Sequence, residues 1–92
     1  MILREAGPLT YAGNLTEEEG KFVVRFPDCE GCLTQGDTPD EARAMAEEAL
    51  NSWLATHLDL GRVPPRPKAD SDLRVAVGED LGQALATLWA RS

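Results

Sequence analysis

The stretch Phe26-Pro27-Asp28-Cys29-Glu30-Gly31-Cys32-Leu33-Thr34-Gln35-Gly36-Asp37-Thr38, followed at once by Pro39-Asp40-Glu41-Ala42, decides the fold. Pro27 has no N–H to give to a strand ladder and ends the strand before it. Asp28 to Gly31 has turn chemistry, and Cys32-Leu33-Thr34-Gln35 is the length of a short return strand. Thr38 is a favourable N-cap, Pro39 takes the first helical position where its missing N–H costs nothing, and Glu41 stands at the capping-box spacing.

Downstream, Ala42, Met45, Ala46, Ala49, Leu50, Trp53, Leu54, His57 and Leu58 recur at three- and four-residue steps, while Glu47, Glu48 and Asn51 fall away from that stripe. Gly61 suits the C′ position, and Pro64, Pro65 and Pro67 forbid continuation. A helix from Pro39 to Leu60 would span about 33 Å at roughly 1.5 Å per residue. Burying Leu50, Trp53, Leu54 and Leu58 against a sheet is expected to contribute about 1.5–3 kcal/mol each, so Trp53→Ala is expected to come close to unfolding the chain.

Upstream, Leu9 to Leu15 alternates, with Leu9, Tyr11, Gly13 and Leu15 on one side, and reads as a strand. Thr16-Glu17-Glu18-Glu19-Gly20 reads as an acidic hairpin loop ending in the residue that most easily takes positive φ. Lys21 to Phe26 follows as a strand with Phe22, Val24 and Phe26 on one face. After a proline-rich connector from Gly61 to Ser71, Leu73 to Val77 alternates as a fourth strand. Gly78-Glu79-Asp80 then opens a short helix with Leu81, Ala84, Leu85, Leu88 and Trp89 on one face. The expected fold is α+β: an antiparallel sheet of three to four strands with one long helix packed on it, in the order β-β-β-α-β-α. Residues 1–67 form the main sheet-plus-helix unit, and residues 68–92 add linker, strand and helix to the same domain.

Ninety-two residues with 42% hydrophobic content suit one small globular domain, whose core is correspondingly modest. A net charge of −7 repels phosphate and disfavours nucleic-acid binding by the main body, and it complements a basic protein. No apolar run reaches membrane-span length and Met1-Ile2-Leu3-Arg4-Glu5 opens no secretory signal, so a cytoplasmic chain without membrane contact is expected.

Cys29 and Cys32 have the spacing of half a zinc knuckle, yet the one other soft ligand is His57, and a structural zinc needs four ligands. They are expected as a turn with small buried thiols, and His57 as a packed or hydrogen-bonded helix-end histidine. Asp28 and Asp37 read as turn residues and Asp40 as a first-turn charge, with no nucleophile motif nearby. No catalytic residue, cofactor or metal is expected. Glu17, Glu18, Glu19, Glu47 and Glu48 are candidates for facing a basic partner, with Leu85 and Trp89 as candidate anchors of a contact between copies.

Phe26-Pro-Asp, Gly31-Cys32, Thr34-Gln-Gly-Asp-Thr38 and the Ala/Glu-rich helix with Trp53-Leu54, in this order and spacing over about Leu9 to Pro67, resemble the HicB-type antitoxins. The resemblance implies a partial ribonuclease-H-like fold without the catalytic acids of nucleases. It implies that the chain is no enzyme, and that its partner is a small, basic, double-stranded-RNA-binding-like toxin that cleaves messenger RNA. Many such antitoxins carry a DNA-binding domain at the C-terminus. Here Leu73 to Trp89 resembles only the strand and first helix of a ribbon-helix-helix unit, so DNA contact is confined to that segment if it occurs. The alternative is an orphan, dimeric interaction or ligand-binding module with no toxin.

Overall fold

A computed structural model describes residues 9–91; the expectations for Met1 to Glu5 lie outside them. Nine residues, Thr10–Glu18, form β1, followed by β2 (Lys21–Arg25), β3 (Leu33–Gly36), α1 (Pro39–Asp59), β4 (Leu73–Ala76) and α2 (Glu79–Arg91). The strands make one antiparallel sheet in the order β3-β2-β1-β4, so the chain is α+β as its sequence implies.

The expected five-residue loop is shorter than its composition suggests. Thr16, Glu17 and Glu18 continue β1 and pair with Val23, Phe22 and Lys21, and only Glu19 and Gly20 turn the chain. Both have positive φ, 52° and 82°, the geometry of a two-residue turn whose twist matches the strands it joins.

Thr38 caps α1 by accepting from the Glu41 N–H at 3.1 Å, while the Glu41 carboxylate accepts from the Asp37 N–H at 2.5 Å. The far end closes as a Schellman motif: the Arg62 N–H reaches the His57 carbonyl, the Gly61 N–H reaches that of Leu58, and Gly61 sits at φ 74°. Between these ends Ala42, Ala46, Leu50 and Leu54 are fully buried, one residue per turn. Met45, expected on the same stripe, is exposed. Trp53 is only half-buried, stacked on His57 with ring centroids 3.8 Å apart. The expectation that Trp53→Ala nearly unfolds the chain is therefore corrected: Leu50 and Leu54 occupy the centre, and Trp53 borders it.

Tyr11, Val24, Phe26, Val75 and Val77 meet α1 from the sheet, and Leu85 and Trp89 of α2 close the same core. The two helices thus share one face of the sheet. Ala12 and Val23 point to the other face and are buried there too. Arg25 stands four residues along from the level of Glu18, and its guanidinium reaches the Glu18 carboxylate at 2.5 Å by crossing over Val23 and Thr16.

The connector between α1 and β4 is held at four places. Tyr11 donates its hydroxyl to the Pro65 carbonyl, and Trp89 donates its indole N–H to that of Pro64. One Asp28 carboxylate oxygen accepts from the Lys68 and Ala69 amides. Arg66 donates to the Trp89 carbonyl while lying 5.5 Å from the centroid of its ring. Asp28, read from sequence as a turn residue, therefore also clasps a strap 40 residues away. No helix among the described residues is long and apolar enough to cross a membrane.

Candidate functional site

The acidic residues singled out in the sequence fall into two groups. Glu17 and Glu18 end β1, Glu19 begins the turn, and all three are exposed. The second pair, Glu47 and Glu48, lies on the solvent side of α1. Arg43, one helical turn before Glu47, shares a groove of about 890 Å³ with Gly13, Asn14, Leu15, Thr16, Ser71, Asp72 and Leu73. One further turn along, Asn51 donates to the Ala76 carbonyl at 3.1 Å and accepts from the Gly78 N–H at 2.7 Å. The row Arg43, Glu47, Asn51 therefore runs along the side of α1 above β4. Asn51 belongs to that junction, although its sequence position reads as solvent-facing.

Glu18 is the one carboxylate of the hairpin that is tied down. The Arg25 guanidinium, with help from the Thr16 hydroxyl, draws its pKa down to about 2. Glu17 and Glu19 have no ion pair among the described residues, whereas Lys21 is engaged with Asp37, and Arg74 with Asp70. The negative charge left at the hairpin is open to a partner.

Leu85 and Trp89 lie elsewhere. At 0% and 8% exposure they are enclosed by the chain's own core, and they reach a second molecule only if α2 lifts from the sheet. The strand before that helix, β4, pairs through Thr10–Gly13 with β1.

The cysteines sit in the turn between β2 and β3, both free and buried. The Cys32 N–H donates to the Cys29 carbonyl at 2.9 Å, and the Cys32 thiol points at the Ala49 carbonyl. Burial, reinforced by the neighbouring Cys32 and Asp28, pushes the Cys29 thiol up to about 12, and burial alone pushes Cys32 to about 11. Thiols so disposed are protonated near neutrality and poor as nucleophiles or ligands. Among the described residues no group of three or more His, Cys, Asp or Glu side chains is placed to hold a metal ion. His57 points Nδ1 at the Trp53 carbonyl, 3.0 Å away within its own helix.

Residues 13–79, which take in the acidic hairpin, the cysteine turn, α1 and β4, match a family model described as the HicB_like antitoxin of bacterial toxin-antitoxin system. The chain belongs to the HicB-like antitoxin family. It is 33% identical over 69 residues to a protein of Photorhabdus laumondii named Antitoxin HicB 2, covering 75% of this chain and 50% of that one. Antitoxin HicB 1 of the same organism is 42% identical over 50 residues, 54% of this chain and 32% of its own length. A UPF0150 protein of Thermoplasma acidophilum is 33% identical over 54 residues, 59% of this chain and 78% of its own. The chain thus spans half or less of the two Photorhabdus antitoxins.

Proposed function

We infer that this HicB-like chain binds and neutralises a small, basic toxin that cleaves messenger RNA, and that it acts in the cytoplasm by occupying the toxin's surface without catalysing a reaction. The observation that carries the reading is the family match over residues 13–79, which includes the acidic hairpin. Three features support it. A charge of −7 favours rapid encounter with a basic protein and penalises acidic ones. Glu17, Glu19, Glu47 and Glu48 are exposed and free of ion pairs among the described residues. The two thiols that could have served chemistry are protonated and buried. Partner contact is assigned to Glu17, Glu18, Glu19, Glu47 and Glu48. Association of two copies through Leu85 and Trp89 would require α2 to move.

Co-expression tests the reading. A short basic protein encoded beside this chain should arrest growth when expressed alone and lose that effect when this chain is supplied. Arrest that persists, with both proteins present and soluble, rejects the antitoxin role in favour of an interaction module without a toxin.

A further inference from the structure

We propose that the unpaired edge of β1, from Asn14 to Glu18, accepts an extended basic segment of the partner protein as a fifth strand of the sheet. The nature of that partner rests on the antitoxin reading; the existence of the acceptor edge does not.

β1 is nine residues long, but β4 pairs only with Thr10 to Gly13. The Val77 N–H bonds to the Leu9 carbonyl, and hydrogen-bonded pairs alternate along an antiparallel ladder. Tyr11 and Gly13 therefore turn their backbone groups toward β4, and so do Leu15 and Glu17, which among the described residues find no strand opposite. The ladder ends at the Gly13–Leu73 pair, where the Ser71 hydroxyl also donates to the Gly13 carbonyl at 2.8 Å. Two N–H and two C=O groups are left in a row. Beside them the groove lined by Leu15 and Leu73 provides an apolar floor for the alternate side chains of an added strand.

Charge selects the occupant. Edge strands are usually protected by lysine, proline or a bulge, and Asn14 to Glu18 has none of these, only Glu17 and the Arg25-paired Glu18, with Glu19 adjoining; Asp72 and Arg43 offset one another in the groove. A second copy paired antiparallel about Thr16 would bring another three glutamates and a further −7 to the same place, which like charge opposes. A strand alternating basic and apolar residues lays its apolar side chains on the Leu15 face and its basic ones on the Glu18 face, and brings positive charge to a hairpin whose Glu17 and Glu19 are unpaired among the described residues.

The test uses the full chain and a synthetic, end-blocked heptapeptide alternating lysine and valine, followed by amide exchange and backbone NMR. The proposal expects the Leu15 and Glu17 amides to exchange fast in the free chain, and to be slowed at least tenfold and shifted by the peptide, while a glutamate-valine version does nothing. Glu17→Pro removes one edge donor at a position where proline is tolerated because the N–H faces outward. It should abolish the protection at Leu15, whereas Glu17→Gln should weaken it only a few-fold. Perturbation centred elsewhere, or equal binding by a folded Glu17→Pro chain, overturns the proposal. If Glu17→Pro does not fold, exchange at Leu15 and Glu17 in the parent chain, with and without the lysine-valine peptide, decides between the two outcomes. With a toxin that the parent neutralises, full neutralisation by Glu17→Pro sinks the edge and spares the antitoxin reading. If the parent neutralises no toxin, that reading fails and the peptide result alone decides the edge.

Discussion

Gly36 closes β3 under the first turn of α1, and a single methyl group there should be among the most damaging small changes in the chain. A Cβ built on Gly36 would lie 2.6 Å from the Ala42 nitrogen and 3.0 Å from both the Ala42 Cα and the Glu41 carbonyl carbon. The first distance is about 0.8 Å short of the 3.4 Å at which ordinary contact begins. All three atoms are backbone, so no side chain can swing aside. The Ala42 nitrogen is also fixed, because its N–H makes the first bond of the helix to the Thr38 carbonyl at 2.9 Å. Relief requires α1 to lift from β3 as a body, against its tightest sheet neighbour. Overpacking of this kind costs about 1–3 kcal/mol, and for a domain of this size each kcal/mol lowers the Tm by roughly 4–8 °C. Gly36→Ala should therefore melt roughly 4–24 °C below the parent by circular dichroism, toward the larger figure. The same methyl at Gly82 meets only Leu9 Cβ at 3.8 Å and Val77 at 4.0 Å. Gly82→Ala should raise stability by about 0.5–1 kcal/mol through helix propensity. If Gly36→Ala melts within two degrees of the parent, or if the two substitutions act in the same direction, the close seating of α1 on β3 is wrong.

Other predictions follow from single contacts. Asn51→Ala strips the Gly78 N–H and one Ala76 carbonyl bond of their partner and should cost about 1–3 kcal/mol in urea unfolding, more than Glu48→Ala on the open side of the same helix. Glu19→Asn should stabilise the chain by a few tenths to about 1 kcal/mol, because asparagine tolerates the positive φ of the turn better than glutamate; the urea midpoint reads this directly. Cys29 and Cys32 should resist a thiol reagent in the native state and react at the rate of unfolding, since both thiols are buried and protonated. The pH profile of the urea midpoint should fall on both sides. Glu18 has a folded pKa below its ordinary 4.5, so its contribution is present above that value and is lost as pH drops toward 2. Cys29 has a folded pKa above its ordinary 9.0, so its contribution holds below that value and is lost as pH rises toward 12.

The helix was legible because its signals are local. Thr38, Pro39, Glu41 and Gly61 act within a few residues of themselves, and each takes the role its chemistry dictates. The fourth strand was legible through its alternation, and the sheet order β3-β2-β1-β4 gives it a place beside β1. What could not be read depends on long-range partners. The carboxylate of Asp28 finds amides 40 and 41 residues away, and Asn51 finds β4 at a separation of 25. Val23 is buried on the open face, and on that face Arg25 pairs with Glu18 seven residues away across the hairpin, a link no periodicity encodes. Among the candidate site residues, the hairpin and helix glutamates are exposed as solvent-facing positions should be. Leu85 and Trp89 turned inward because α2 had an apolar face and the sheet had an uncovered end to receive it. The unpaired stretch of β1 had no signal in the sequence, because it depends on where β4 stops.

That stopping point also has a temporal side. Tyr11 waits for Val75, its ladder partner 64 residues later, and at translation rates of about 5–20 residues per second that wait lasts roughly 3–13 s. During the interval the whole length of β1 lacks its second neighbour on the ribosome, and nascent copies on one messenger lie close together. The glutamates at the hairpin are already in place then, so the same negative row that would later admit a basic strand keeps unfinished sisters apart.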